Sequence, residues 1–230
     1  MDPVVLIGFW AALFLIAHLG ISSAAIRPRL MAAVGESPYR GIYSLISFAT
    51  LIPLVIVFFH NKHAGPMLWN LRDVGPARWL VWLMMLAAFI LIIAGLMNPN
   101  PGAFVAPSSA GTARGVLKIT RHPSFVAFSM FGLAHLLMNG FAGDVLFFAT
   151  FPALGILGGL HQDRRKLGEI GDMYRGLMTE TSFFPGAALL SGRQRWTAKD
   201  TPWLAILIGV ATAAIVVAVH PMLFGGNPLG

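Results

Sequence analysis

The chain contains no cysteine among its 230 residues. That absence excludes disulfides, zinc ribbons, thiolate-ligated haem, c-type haem attachment and cysteine nucleophiles. Any tight metal site must therefore use histidine, methionine or carboxylate. Charge is scarce too: charged residues make up 11% of the chain, against 57% hydrophobic. A soluble domain carries about a quarter charged residues, so this is the composition of an integral membrane protein with room for one helical bundle. The sequence also lacks a Gly-rich phosphate loop, a His-Glu-x-x-His motif, a Ser-His-Asp arrangement, an internal repeat and a low-complexity tract. Its acidic residues fall at span ends or in loops, so no carboxylate relay crosses the apolar core. The first apolar run follows Asp2 with no basic segment before it, which reads as a retained span rather than a cleaved signal.

What is present is a series of apolar runs. Six approach the ~20 residues a membrane span needs: 4–24, 41–60, 78–97, 122–139, 143–160 and 202–220. The expected fold is an all-α integral membrane bundle of six spans, one domain over residues 1–230. Met138 to Asp144 (Met-Asn-Gly-Phe-Ala-Gly-Asp) reads as a tight hairpin turn between spans four and five. Pro123 and Pro202 stand at helix starts, where a missing N–H costs little. The basic residues divide by side. Arg27, Arg29, Arg40, Arg114, Lys118, Arg121, Arg164, Arg165, Lys166, Arg175, Arg193, Arg195 and Lys199 fall on one side, and Lys62, Arg72 and Arg78 on the other. Membrane topology thus accounts for the net charge of +7, and the expected partner is the lipid bilayer, not nucleic acid. The positive-inside rule places the basic loops in the cytoplasm and both termini outside it, in a bacterial inner membrane. Trp10, Trp69, Trp79, Trp82, Trp196 and Trp203 lie near span ends, as an aromatic belt does.

Two segments are not spans. Asn98 to Gly115 is rich in Pro, Gly and Ser and reads as a loop. Asp163 to Glu180 is charged and helix-like, with Leu167, Ile170, Tyr174, Leu177 and Met178 on one stripe, and reads as an amphipathic helix along the cytoplasmic face.

The histidines carry the functional signal. His18 and His135 each stand inside an apolar run, and ionisable residues inside spans point to functional sites. Two readings stay open for them: neutral packing partners that hydrogen-bond a neighbouring helix, or ligands of a shared metal or haem. His122 follows Arg121 at the start of span four, either as an interfacial anchor or as a ring presented at the positive end of a helix dipole. His161, His60, His63 and His220 fall near span ends and read as interfacial. The methionines at 84, 85, 97, 130 and 138 read as packing.

Taken together, His18-Leu-Gly, Gly35-Glu36, Tyr39-Arg40, Leu68-Trp69, Ile119-Thr-Arg-His-Pro123, Leu133-Ala-His135, Asp163-Arg-Arg165, Thr181-Ser182 and Pro185 resemble the NnrU family and its plant branch of 15-cis-zeta-carotene isomerases. The resemblance implies a membrane protein carrying haem b, with His18 and His135 as axial ligands. It implies either a link to nitric-oxide and denitrification metabolism or redox-gated cis–trans isomerisation of a carotene-like apolar substrate. Arg121 and His122 would then pair with the haem propionates. Plant members carry a cysteine three residues before the second histidine. Gly132 stands there in this chain, so a mechanism needing that thiolate cannot operate.

Two other readings are carried. Arg121-His122-Pro123 and Gly171, Tyr174 and Phe184-Pro-Gly186 are similar to isoprenylcysteine and phospholipid methyltransferases, which use S-adenosylmethionine. Arg164-Arg165 stands where that family has acidic residues. A haem-based sensor or assembly factor, docking a protein partner through 161–201, shares the haem site but needs no turnover. The topology also sets a geometric difficulty. With antiparallel spans, His18 lies toward the cytoplasm and His135 toward the outside, roughly 10 Å apart in depth. Level pairs would instead be His18 with His122 or His161, or His135 with His60 or His220.

Overall fold

The computed structural model describes residues 1–98 and 113–228. Most of the expected Asn98–Gly115 loop lies outside the described residues. The described chain is helical: α1 (Pro3–Ile21), α2 (Arg27–Val34), α3 (Glu36–His60), α4 (Gly75–Met97), α5 (Pro123–Met138), α6 (Ala142–Ile170), α7 (Asp172–Glu180), α8 (Ala187–Leu190) and α9 (Trp203–Phe224), with short 3₁₀ turns at Gly115–Lys118 and Ala198–Asp200. No strand forms among the described residues, which contain one isolated bridge, Met67 to Phe141.

Helix starts follow local chemistry. Asp2 caps α1 by accepting from the Val4 and Val5 amides at 2.8 and 3.2 Å, with Pro3 at the first helical position. Pro123 opens α5 in the same way. Five helices are long and apolar enough to cross a membrane: α1, α3, α4, α6 and α9. Helix α5 is apolar but shorter, at 16 residues. The protein is therefore an integral membrane bundle of several spans. Apolar side chains such as Leu45, Phe48, Leu83, Leu207 and Ile215 cover its outside, as lipid requires of helices whose backbone groups are satisfied internally.

The helices pack in the order α9, α4, α5, α6, α1, α3. Helices α5 and α6 form the central antiparallel pair. Phe14, Leu54, Phe58, Phe147 and Phe148 make one core where α1, α3 and α6 meet. Ala88, Leu91, Ala94, Val126 and Ala205 make a second where α4, α5 and α9 meet. The central pair approaches closely because small residues face it. A Cβ on Gly155 would stand 2.5 Å from the Phe125 carbonyl oxygen, and one on Gly132 would stand 2.6 Å from that of Phe148.

The turn after α5 is as tight as its sequence predicts, since α6 begins four residues after Met138. It is held from outside. Trp69 Nε1 donates to the Leu136 carbonyl at 2.9 Å, and Arg72 Nε donates to that of Met138 at 2.9 Å, satisfying acceptors a helix C-terminus leaves open. The expected amphipathic segment over 163–180 differs. Its first half continues α6 without a break to Ile170, and Gly171, at φ 65°, starts the separate α7. Tyr174 and Leu177 are buried against Ala113 and Leu117, with Leu167, Ile170 and Met178 packed around them. The apolar stripe therefore covers the protein's own chain rather than lying free along a lipid surface.

Two outcomes follow. Gly155→Ala is expected to lower stability by about 2 kcal/mol through overpacking, read by thermal unfolding in detergent. Gly168→Ala, where a Cβ meets nothing within 4 Å, serves as the control and is expected to hold or slightly raise stability. At the loop end, the Lys118 ammonium at 2.8 Å and the Thr197 hydroxyl hold the Asp200 carboxyl well below the usual carboxylate range. The clasp is therefore intact above the unfolded-state value of about 4 and is lost as pH falls below it toward the folded-state value. Proteolysis near residues 198–200 should rise with acidification in the wild type, while Asp200→Asn should be cut readily at every pH.

Candidate functional site

Near the C-terminal end of α6, the Asp163 carboxylate collects donors from three directions. Arg121 approaches side-on, with Nε 3.0 Å from both oxygens and Nη2 2.6 Å from Oδ2. His122 Nε2 lies 2.8 Å from Oδ1, and the Tyr174 hydroxyl donates to the same oxygen at 2.8 Å. Burial and the neighbouring Asp163 charge push the Tyr174 phenol far above its ordinary value, so it remains a donor.

The segment before α5 brings Arg121 and His122 here by pairing with residues 182–186. Arg121 N donates to Ser182 O at 3.0 Å, Thr120 Oγ1 to Phe183 O at 2.8 Å, and Gly186 N to Ile119 O at 2.8 Å. The His122 ring is wholly buried, edge-on to Phe125 and Phe183. A Cβ on Gly159 would meet the Phe183 ring at 2.7 Å, so glycine is what lets these rings sit against α6. The carboxylate accepts from Nε2, and the other ring nitrogen is Nδ1. It has no hydrogen-bond partner among the described residues.

His18 and His135 border the same aromatic core from different helices. The His18 ring sits 5.3 Å from Phe14, with Nδ1 3.0 Å from the Ser47 hydroxyl and Nε2 2.7 Å from the Tyr43 hydroxyl, both on α3. His135 stacks on Phe148 at 4.7 Å and lies against Phe131 at 4.3 Å with the rings tilted by 42°. Its Nδ1 lies 2.8 Å from the Phe131 carbonyl oxygen and donates to it. That fixes the tautomer and leaves the Nε2 lone pair for a metal, the usual arrangement of an imidazole ligand.

Helix α6 gives the relative depth of the two. Gly8 faces Leu146, and Ser22 O receives His161 Nε2, so His18 stands beside residue ~156. His135 stands beside Phe148. About eight residues of helix make about 12 Å, whereas metal–nitrogen bonds are about 2 Å. As donors, both histidines suit haem iron. As placed, the two rings stand too far apart for one metal ion to reach both, and His135 is the one whose Nε2 has no hydrogen-bond partner among the described residues. The three-group metal arrangements of His, Asp and Glu are absent among the described residues.

The remaining histidines have local partners. His60 Nδ1 lies 2.8 Å from Ile56 O, and His220 Nδ1 2.6 Å from Gly226 O. His63 Nδ1 lies 2.7 Å from Asp144, itself buried. An open apolar pocket of about 380 Å³ lies on the other side of α5, lined by Trp69, Leu71, Met84, Leu133, Leu136 and Leu137. His135 faces α6 and is not among its lining residues.

Asp163→Asn removes the counter-charge of a guanidinium only 11% exposed. A loss of about 3 kcal/mol is expected, against about 2 kcal/mol for Tyr174→Phe, which deletes one donor to the carboxylate and leaves the guanidinium paired. Thermal unfolding of the two variants side by side checks the ranking.

The whole arrangement has relatives. The chain matches the NnrU protein family over residues 5–228. It is 28% identical over 184 residues to a chloroplastic 15-cis-zeta-carotene isomerase of Zea mays, covering 80% of this chain and 50% of that protein. The Arabidopsis thaliana protein of the same name is 27% identical over 183 residues, covering 79% and 49%. The chain thus spans about half the length of these plant relatives. No solved structure matches. Since the family match includes α1 with His18, α5 with Arg121, His122 and His135, and α6 with Asp163, the chain belongs to the NnrU protein family.

Proposed function

We propose that this NnrU-family protein binds haem b inside the bilayer and acts on an apolar, lipid-phase substrate. The observation that carries the reading is His135. Its imidazole is held between Phe131 and Phe148, its Nδ1 proton is fixed on a backbone carbonyl, and its Nε2 has no hydrogen-bond partner among the described residues. That is the donor state an axial ligand needs. His18 is the second ligand that the family resemblance implies; for that role the Tyr43 hydroxyl must leave its Nε2 and the helices must close the depth of about 12 Å between the two rings.

When bound, haem supplies one-electron chemistry at the iron, and the protein sets its ligation and polarity. The chain's own contributions are the Phe131 and Phe148 rings on either side of His135 and the Ser47 hydroxyl that orients His18 through Nδ1. The apolar pocket beside α5 suits a hydrocarbon substrate in the lipid phase. The plant relatives are named for isomerising a carotene, and isomerisation of a polyene double bond is the reaction proposed here. The proposed topology has six crossings, with α5 as the shortest and the basic loops in the cytoplasm of a bacterial inner membrane.

The test is a visible spectrum of the detergent-purified protein, oxidised and dithionite-reduced, with a pyridine haemochrome assay. A Soret band with haem b haemochrome is expected. His135→Ala should lose the haem, and His18→Ala should reduce its content or change its spin state. Full haem content with an unaltered spectrum in both variants would remove these ligands from the proposal, and a colourless wild type would remove haem.

A further inference from the structure

At the same end of the bundle as Asp163, one carboxylate serves three cations. Arg27 on α2 makes a hydrogen-bonded ion pair with Glu169 on α6. Lys166 Nζ lies 3.0 Å from the other Glu169 oxygen, and Arg165 Nη1 stands 3.8 Å away. The three basic side chains are only 19 to 20% exposed. Arg165 Nε is buried with no hydrogen-bond partner among the described residues.

The basic groups elsewhere at this end are differently placed. Arg121 is matched by Asp163, Lys118 by Asp200, and Arg193 by the carbonyls of Thr179 and Thr181. In the Arg27 cluster two positive charges exceed the local carboxylate. A donor fork and an ammonium held partly out of water with surplus charge form an acceptor site for an anion.

The cluster is also connected to His18. The Arg27 guanidinium lies 5.7 Å above the Tyr39 ring, Tyr39 stacks on Tyr43 at 6.2 Å, and the Tyr43 hydroxyl touches His18 Nε2. We infer that Arg27, Arg165 and Lys166 form a binding site for a carboxylate or phosphate anion whose apolar body lies in the membrane. The anion has two sources of the same chemistry. One is the propionate of a haem held at His18, the nearer of the two ring levels at about 14 Å along α6, which rests on the haem reading above. The other is a phospholipid headgroup, which does not. In the propionate case this cluster takes the role expected from charge alone of Arg121 and His122, whose groups facing Asp163 are already engaged.

The experiment compares wild type, Arg165→Gln/Lys166→Gln and the exposed control Arg164→Gln. The double variant leaves the Arg27–Glu169 pair in place, and Lys166→Gln alone serves as a milder second variant. Haemin and haemin dimethyl ester, whose propionates are masked, are titrated into each. Phosphatidylglycerol retained from phosphatidylglycerol/phosphatidylcholine nanodiscs is counted by native mass spectrometry. A propionate site predicts about tenfold weaker haemin binding in the double variant, a smaller shift in the same direction for Lys166→Gln, and no change for the ester. A headgroup site predicts unchanged haemin binding and loss of retained phosphatidylglycerol. Unchanged haemin binding together with unchanged lipid retention in the double variant overturns the inference. A wild type that binds no haemin ends the haem reading and its propionate arm, and leaves lipid retention to decide the site.

Discussion

A guanidinium buried at a membrane boundary needs a carboxylate, and Asp163 is where this protein provides it. The one side chain accepts from Arg121, His122 and Tyr174, and so joins the start of α5, the end of α6 and the middle of α7. A buried carboxylate with every donor in place is stable, whereas any partner left alone is costly. This explains why α6 continues past its apolar run: it must carry Asp163 to the level at which α5 begins. It also explains why α7 folds back over residues 113–117 instead of lying out on the lipid.

Much of this architecture was legible in the sequence because lipid imposes a simple code. Five of the apolar runs expected as spans became helices of sufficient length, and the tight turn before Asp144 formed where Asn139-Gly140 marked it. Residues 163–180 were misread as one helix. Charge density and helical periodicity there continue across Gly171, while the break depends on that residue's positive φ. The hydroxyl partners of His18 were not legible. Tyr43 and Ser47 sit four residues apart, which puts them on one face of α3, but nothing in either helix alone says that this face meets His18. Asp163 was visible only as part of a motif, because its meaning lies in donors 41 and 42 residues earlier in the chain.

The two intramembrane histidines show how topology constrains chemistry. Helix α6 serves as a common ruler for α1, which runs parallel to it, and α5, which runs antiparallel. Positions late in both α1 and α5 therefore diverge in depth. Phe14, against His18, and Phe148, against His135, belong to one and the same core between them. Gly132 belongs to the same geometry. The close approach of the Phe148 carbonyl and Pro152 leaves no room for a Cβ at that position, which is where the plant proteins' cysteine falls in the resemblance.

The packing order α9, α4, α5, α6, α1, α3 differs from the order of synthesis. The two helices at the centre are the fourth and fifth of the large helices to be made, while α1 and α3 pair early at one edge. Helix α4 follows them, yet its main neighbours are α5 and α9, both made after it. During biogenesis α4 must therefore remain in lipid as a lone span until α5 arrives. The hairpin of α5 and α6 then enters as a wedge between the α1–α3 pair and α4, and α9 packs on α4 last, instead of the bundle growing outward helix by helix.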